Sequence, residues 1–331
     1  MPRDDEADVL MKQAKAHHTK SITKWSSDWD SAADCYQKAA QQYTFMQNVP
    51  KAREAWDMAA HAHEKAKNPY LAAKCVDSLA NFLKDQSSYA KSEEGAKEIS
   101  NLYIRASHMY ALDQKPDRQA EALSKAARLA PAGDARGAAK LILQGLDALE
   151  DSDKHHMTLD LYRSVILLQV RGNLLLDAVE TLKREIKTFE RLQQPAAAAK
   201  AGLEIVILCL SMGDWVLAER EFQQMSSQFG FGHTKEQSAA YGLISAIEER
   251  DEEALAASAK DSALQFIIPE IQRLAKKLTI SMSNAPAKKK QPTAASTPLA
   301  TTSSPTRPSA AAPPAKEASE DDEDDEEDLR Q

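Results

Sequence analysis

A repeat of 20 residues is the strongest constraint on how this chain folds. Three consecutive stretches place residues of similar size at offsets of 0, +4, +8 and +11 from their first alanine. These offsets lie on one face of an α-helix. The four sets are Ala32, Ala52 and Ala72; Tyr36, Trp56 and Val76; Ala40, Ala60 and Ala80; and Tyr43, His63 and Leu83. The repeat predicts one helix per stretch, with small residues where a neighbouring helix comes close.

The same face recurs later in the chain, and proline and glycine separate the recurrences. The later positions are Ala178, Leu182, Ile186 and Phe189, and more loosely Ala218, Phe222 and Phe229. Two such helices form a unit of about 40 residues, a little longer than the tetratricopeptide period. We therefore predict an all-α, tetratricopeptide-like solenoid of stacked antiparallel helix hairpins, with an extended concave face.

The composition agrees with this fold and indicates the cellular compartment of the protein. The chain has 331 residues, 43% of them hydrophobic and 6% aromatic, with only 10 glycines, which favours helix over sheet. No stretch resembles a membrane span or a secretory signal. Cys35, Cys75 and Cys209 lie far apart and do not form metal-binding or disulfide patterns. We expect a cytoplasmic protein with reduced core thiols.

The helical periodicity ends at Met282, where proline, serine, threonine and alanine take over. Residues 285–316 carry a net charge of +5, and residues 317–331 carry −9. This composition predicts a disordered tether with an acidic end. The remaining body carries −4 of the total of −8, so it lacks the positive field that nucleic-acid binding requires. We predict a solenoid over 1–230, a C-terminal helical bundle over 231–282 and the tether with its acidic end over 283–331.

The sequence contains none of the common catalytic or phosphate-binding motifs, so we predict that the protein is not an enzyme. The histidine pairs are one or two residues apart, not at the i, i+4 spacing that places two metal ligands together. The pairs are His17 with His18, His61 with His63, and His155 with His156. We therefore predict neither a cofactor nor a metal site.

Three stretches resemble the SNAP family, the soluble attachment proteins for the N-ethylmaleimide-sensitive fusion ATPase. They are "KWSSDWDSAADCYQKAAQQY" (24–43), "MGDWVLAEREF" (212–222) and "FGFGHTKEQSAAYGLISAIEERDEEAL" (229–255). The similarity is closest to the gamma type of the family and covers roughly residues 8–280. The last residues, "DEEDLR" (325–330), resemble the end of the family's alpha type.

The resemblance implies an adaptor in vesicular membrane trafficking. SNAPs lay the concave face of their solenoid along an assembled SNARE four-helix bundle. They present their C-terminal acids and leucine to the hexameric AAA+ ATPase, which takes the bundle apart. The resemblance therefore assigns Glu326, Glu327, Asp328 and Leu329 to ATPase activation. The alternative to ATPase activation is an acidic tail that only keeps the protein soluble, in which the leucine has no role.

Two further surfaces follow from the resemblance. The positions that align best with the family's SNARE-facing basic residues are Lys115 and Arg163, and solvated surface charge is the alternative reading. The first loop offers Ile22 and Trp25 for weak peripheral membrane contact on the cytosolic side, although core packing explains Trp25 equally well. We expect the neighbouring Trp29 to pack in the body.

Two alternatives remain open at the level of sequence. One is a tetratricopeptide-like scaffold that binds short peptides of another cytosolic complex. Such a scaffold would bind an isolated extended peptide, whereas a SNAP prefers an assembled coiled coil. The other is an enzyme-regulating solenoid subunit. Subunits of that kind usually add a mixed helix and strand module at the C-terminus, which this sequence does not predict.

Overall fold

All regular secondary structure in the described part of the chain is helical. The computed structural model describes residues 2–19, 26–131, 133–280 and 284. The α-helices are α1 (Pro2–His18), α2 (Trp29–Phe45), α3 (Val49–Lys65), α4 (Pro69–Asp85), α5 (Ser87–Ala90), α6 (Glu93–Leu112), α7 (Pro116–Ala127), α8 (Ala135–Asp151), α9 (Leu159–Arg171), α10 (Leu175–Arg191), α11 (Pro195–Ser211), α12 (Trp215–Ser226), α13 (Lys235–Glu249), α14 (Glu252–Ser258) and α15 (Pro269–Ala275). Two 3₁₀ helices are η1 (His155–Met157) and η2 (Ser262–Phe266). The all-α prediction is confirmed.

The helix starts keep the predicted 20-residue spacing in two runs. α2, α3 and α4 start at residues 29, 49 and 69, and each has 17 residues. α8, η1, α10, α11, α12 and α13 start at residues 135, 155, 175, 195, 215 and 235. Between the two runs α6 is longer, with 20 residues, and α7 is shorter, with 12. In the first run, and at α8, α10 and α11, a 17-residue helix followed by a short turn accounts for the repeat.

Eight turns in the described residues share one backbone conformation, in which a left-handed residue follows the end of the helix. This residue donates its N–H to the carbonyl three positions back, and the next residue donates to the carbonyl five positions back. Both bonds define a Schellman motif, which glycine favours because it has no Cβ. The left-handed positions are Gln47, Lys67, Gln114, Asp153, Asn173, Gln193, Gly213 and Arg250. Only one of them is glycine, so the packing of successive helices maintains a conformation that the other residues disfavour.

Successive helices contact one another and alternate between two layers. Layer one contains α1, α3, α6, α8, α10 and α12, and layer two contains α2, α4, α7, α9, α11 and α13. Ion pairs join alternate helices within layer one: Lys51 with Asp8, Arg53 with Glu98, Arg105 with Asp57, Arg136 with Asp177, Arg184 with Glu150, and Lys183 with Glu221. In layer two Lys125 of α7 pairs with Asp77 of α4.

The repeat face predicted from the sequence forms the core between the layers. Each position of its first three units is at most 6% exposed. The buried residues form two hydrophobic clusters, one within residues 7–126 and one within 127–275. None of the described helices combines the length and the apolar character needed to cross a bilayer.

The C-terminal helices pack directly on the last repeats. α13 contacts α11 and α12, and α15 contacts α9 and α11. The ring of Phe231 lies against Gly202 of α11 so closely that a Cβ on this glycine would be 2.5 Å from the ring. Asn284 donates its backbone N–H to the Gly213 carbonyl (3.0 Å) and accepts the Trp215 N–H at its side-chain oxygen (2.7 Å). The division of the body at residue 230 stays a prediction.

Candidate functional site

Six of the residues predicted to act at sites lie outside the described part of the chain. They are Ile22, Trp25, Glu326, Glu327, Asp328 and Leu329. The flank of the first loop is described, and there the Trp29 ring stacks on His18 with 5.0 Å between ring centroids. His61 meets the same indole edge-on at 6.1 Å. Trp29 therefore packs in the body, as the sequence predicts.

Lys115 lies at the N-terminus of α7, in the turn that follows the left-handed Gln114. Its side chain is 50% exposed, and its ammonium lies 3.8 Å from the Asp113 carboxylate. It borders a groove of about 630 Å³ between α6, α7 and α8, which also contains the carboxylates of Asp147 and Asp151. The surroundings of Lys115 are therefore mixed in charge.

Arg163 lies in the second turn of α9, where its side chain is exposed. Its charge acts on two buried carboxyl groups, Glu185 of α10 and Glu204 of α11. Lys200, one turn before Glu204 on α11, acts on Glu204 as well. Lys115 is not among the charges that act on these two carboxyl groups. The structure thus places Arg163 in a basic neighbourhood with Lys200 and leaves Lys115 outside it.

The two buried carboxyl groups are the most perturbed acids in the described residues. Burial raises the pKa of Glu185 to about 8, and the Glu204 carboxyl adds to this while Arg163 opposes it. Burial also raises the pKa of Glu204 to about 7, against the hydrogen bond from the Ile268 N–H and the charges of Arg163 and Lys200. That N–H lies 2.6 Å from Glu204 Oε1 and begins α15. Through this hydrogen bond, Glu204 connects the start of α15 to α11.

An aromatic ring and two lysines extend the basic neighbourhood toward the C-terminus. The Phe266 ring is 57% exposed, with Lys235 Nζ at 4.5 Å and Lys200 Nζ at 5.7 Å from its centroid. Sequence reasoning missed this cluster. A signal was present, because Lys200 and Glu204 are the two charged residues in the otherwise uncharged helix α11.

An acidic turn connects α13 to α14. Glu249, Asp251, Glu252 and Glu253 are all exposed there. The Asp251 side chain accepts the Ala254 N–H and so caps α14. The turn therefore adds a second negative surface to the acidic end of the sequence.

The cysteines and histidines of the described residues have structural environments. Burial raises the pKa of Cys75 and of Cys209 to about 12. Burial lowers the pKa of His63, against the charges of Asp34 and Asp30. Across 2–19, 26–131, 133–280 and 284, no three histidines, cysteines or carboxylates come together in a way that could hold a metal ion.

Comparison with known proteins identifies the family. The profile of the family described as "Soluble NSF attachment protein, SNAP" matches residues 5–262. A "Gamma-soluble NSF attachment protein" of Dictyostelium discoideum is 24% identical over 276 residues, covering 83% of this chain and 83% of that protein. One of Arabidopsis thaliana is 26% identical over 273 residues, covering 82% of this chain and 91% of that protein. A de novo designed helical repeat protein covers 83% of this chain and 94% of its own, at 16% identity and a TM-score of 0.16.

A helical-repeat body with charged outer surfaces is typical of protein-binding scaffolds. The family match makes this general assignment specific. The chain belongs to the soluble NSF attachment protein family, with relatives of the gamma type, as the sequence resemblance predicted. It is an adaptor of membrane trafficking and not an enzyme.

Proposed function

We propose that this protein binds assembled SNARE bundles and recruits and stimulates the hexameric AAA+ fusion ATPase that disassembles them. The observation that carries the proposal is the family match over residues 5–262, which spans nearly the whole helical body. The names of the relatives describe attachment to this ATPase. The charges on the body and on the acidic end supply the physical basis for two separate contacts.

The SNARE contact is assigned to the basic neighbourhood on layer two. Arg163, Lys200 and Lys235 come from α9, α11 and α13, which alternate along the same layer. Cations on alternate helices form a track along the solenoid, and such a track suits the acidic side chains along a coiled-coil rod. Lys115 extends the proposed contact at the turn before α7. The exposed Phe266 ring adds an apolar surface beside two of the cations.

The ATPase contact is assigned to the acidic end of the chain. Glu326, Glu327 and Asp328 would attract a basic surface, and Leu329 would enter an apolar pocket and favour the state competent for hydrolysis. The acidic turn between α13 and α14 supports this assignment, because it presents the same charge at the C-terminal end of the body. Ile22 and Trp25 of the first loop would make weak peripheral contact with the cytosolic face of membranes.

A binding and hydrolysis assay tests the proposal on the full chain. Arg163→Ala should weaken binding to an assembled SNARE bundle about two- to fivefold, as for a partly solvated charge contact. Lys97→Ala is the matched control, because Lys97 is exposed on α6 of layer one. Leu329→Ala should keep ATPase binding and reduce the stimulation of hydrolysis, whereas Leu299→Ala in the tether should change neither.

Two results would contradict the proposal. Equal stimulation by the parent and by Leu329→Ala, in the presence of a SNARE bundle, would leave the acidic end as a solubilising tail. Tighter binding to a single extended peptide than to the assembled bundle would favour the tetratricopeptide-like scaffold instead.

A further inference from the structure

A phenylalanine lies exposed on the C-terminal part of the body. Phe266 ends η2 and is 57% exposed. Leu264, Ile267 and Ile268 on both sides of it are buried, so these neighbours hold the segment on the body. A lone exposed apolar side chain is ordinary on a protein surface, and its surroundings decide whether it has a role.

Two ammonium groups lie close to this ring. Lys235 Nζ is 4.5 Å and Lys200 Nζ is 5.7 Å from the ring centroid, within the range of cation–π contact. Lys235 starts α13 and Lys200 lies in α11, so three separate elements form the group. Among the described residues Lys200 has no ion pair, and Lys235 has one at 4.0 Å with Glu236. The Phe266 cluster, formed by Phe266, Lys200 and Lys235, thus combines an apolar surface with two cations.

The distances within the Phe266 cluster limit the size of the surface that it contacts. The two Nζ atoms are at most about 10 Å apart, which corresponds to about two turns of an α-helix. A helix lying across the ring can therefore place one side chain on Phe266 and another one turn away on each side. Three side chains on one face of an extended peptide span about 13–14 Å, which exceeds the separation of the two ammonium groups. The cluster therefore suits a helix better than an extended segment.

We propose that the Phe266 cluster recognises an aliphatic side chain on one helix of the SNARE bundle, with a carboxylate one turn before it and another one turn after it. This inference rests on the proposed SNARE contact and specifies what the C-terminal end of that contact recognises. The aliphatic side chain packs on the Phe266 ring, and the carboxylates pair with Lys200 and Lys235. Contact removes water from the ring, and the ion pairs beside it are then stronger than in bulk solvent.

Binding of the full chain to an assembled SNARE bundle, measured by fluorescence anisotropy, tests the role of Phe266. Phe266→Ala should weaken binding about tenfold, as for the loss of one buried apolar contact, and Phe266→Leu should weaken it much less. Lys235→Gln should weaken binding about threefold and reduce its dependence on salt. Phe45→Ala is the matched control, because Phe45 is a 71% exposed phenylalanine on α2. Unchanged binding by Phe266→Ala would overturn the proposal.

A designed parallel four-helix coiled coil tests the spacing of the recognised side chains. It carries Glu, Leu and Glu at the outer positions b, f and b of consecutive heptads, which are one turn apart. In two companions Ala replaces the Leu, or Gln replaces both Glu residues. In NMR titrations the unmodified protein should bind the first version at least fivefold more tightly than either companion. Phe266→Ala should abolish the preference for Leu over Ala and keep the preference for Glu over Gln. Equal binding of all three versions would overturn the proposal.

The thermal midpoint separates this role from a structural one. Phe266→Ala should unfold within about a degree of the parent, because the ring is largely exposed. A loss of several degrees would show that Phe266 supports the fold and would overturn the proposal. If this variant does not fold, the comparison of Leu with Ala in the coiled coil decides, since it uses the unmodified protein.

Other occupants of the cluster would be visible in parallel measurements. Tighter binding of an unfolded peptide with the same Glu and Leu residues would identify an extended segment as the occupant. Sedimentation with vesicles of phosphatidylserine and phosphatidylcholine that Phe266→Ala abolishes would identify a membrane. Either result would overturn the proposal. Bundle binding that Arg163→Ala weakens and Phe266→Ala does not would refute this inference alone, whereas no binding of any assembled bundle by the parent would refute the proposed function with it.

Discussion

Glu185 should make the stability of this protein decrease as the pH rises toward 8. Its carboxyl group is 7% exposed on α10, and its pKa in the folded protein is about 8 against an ordinary value of 4.5. As the pH rises, the unfolded chain therefore loses the Glu185 proton at a lower pH than the folded protein does. Between about pH 5 and 8 the folded state binds more protons than the unfolded state, so stability falls as pH increases. The neutral carboxyl is the stabilising form.

Glu185→Gln keeps the shape of the neutral acid and removes its proton equilibrium. One unit of pKa corresponds to about 1.4 kcal/mol, so the difference between the two pKa values sets a ceiling of about 5 kcal/mol. Water entry and local relaxation lower the penalty of a buried charge, and we expect a gain of about 2 kcal/mol at about pH 8.5. At about pH 5 the variant and the parent should have nearly equal stability.

Urea unfolding followed by circular dichroism at both pH values measures this difference. Glu190→Gln is the matched control, because Glu190 is exposed on the same helix and the chemical change is the same. The control should leave the pH dependence intact. A Glu185→Gln variant that gains no stability at the higher pH, or that gains the same amount at both, would refute the reasoning.

Three further substitutions test the packing of the turns and helices. Gly202→Ala gains up to about 1 kcal/mol of helix propensity but places its Cβ against Phe231. We therefore expect a net loss of about 1–2 kcal/mol in the free energy of unfolding. Adding Phe231→Leu should restore most of the lost stability. Lys67→Gly should stabilise by about 0.5–1 kcal/mol, because the left-handed conformation strains lysine; a loss in urea unfolding would contradict this account. Asn284→Ala should speed hydrogen exchange at the Trp215 amide, which Asn284 accepts; unchanged exchange would mean that this contact does not protect the amide.

The sequence alone was sufficient for the helical architecture, its period and the family. The alanine and aromatic positions 20 residues apart predict the buried face, because local hydrophobic periodicity and the turn residues act within one helix and its neighbour. The stretches that resemble the SNAP family predicted the match that the comparisons show. These features depend on residues close together in the chain, so the sequence displays them directly.

Other features were decided by the tertiary structure. The left-handed conformations of Lys67 and Gln114 could not be predicted from the sequence, because neither residue is a glycine and the packing of adjacent helices imposes the conformation. The charges of Arg163 on α9 and Lys200 on α11 both act on Glu204 only because of the fold, and the side-chain oxygen of Gln169 is buried without a donor only once the helices have packed. Burial and long-range charge arise from helices that meet in space, and the identity of a residue does not reveal which neighbours will surround it.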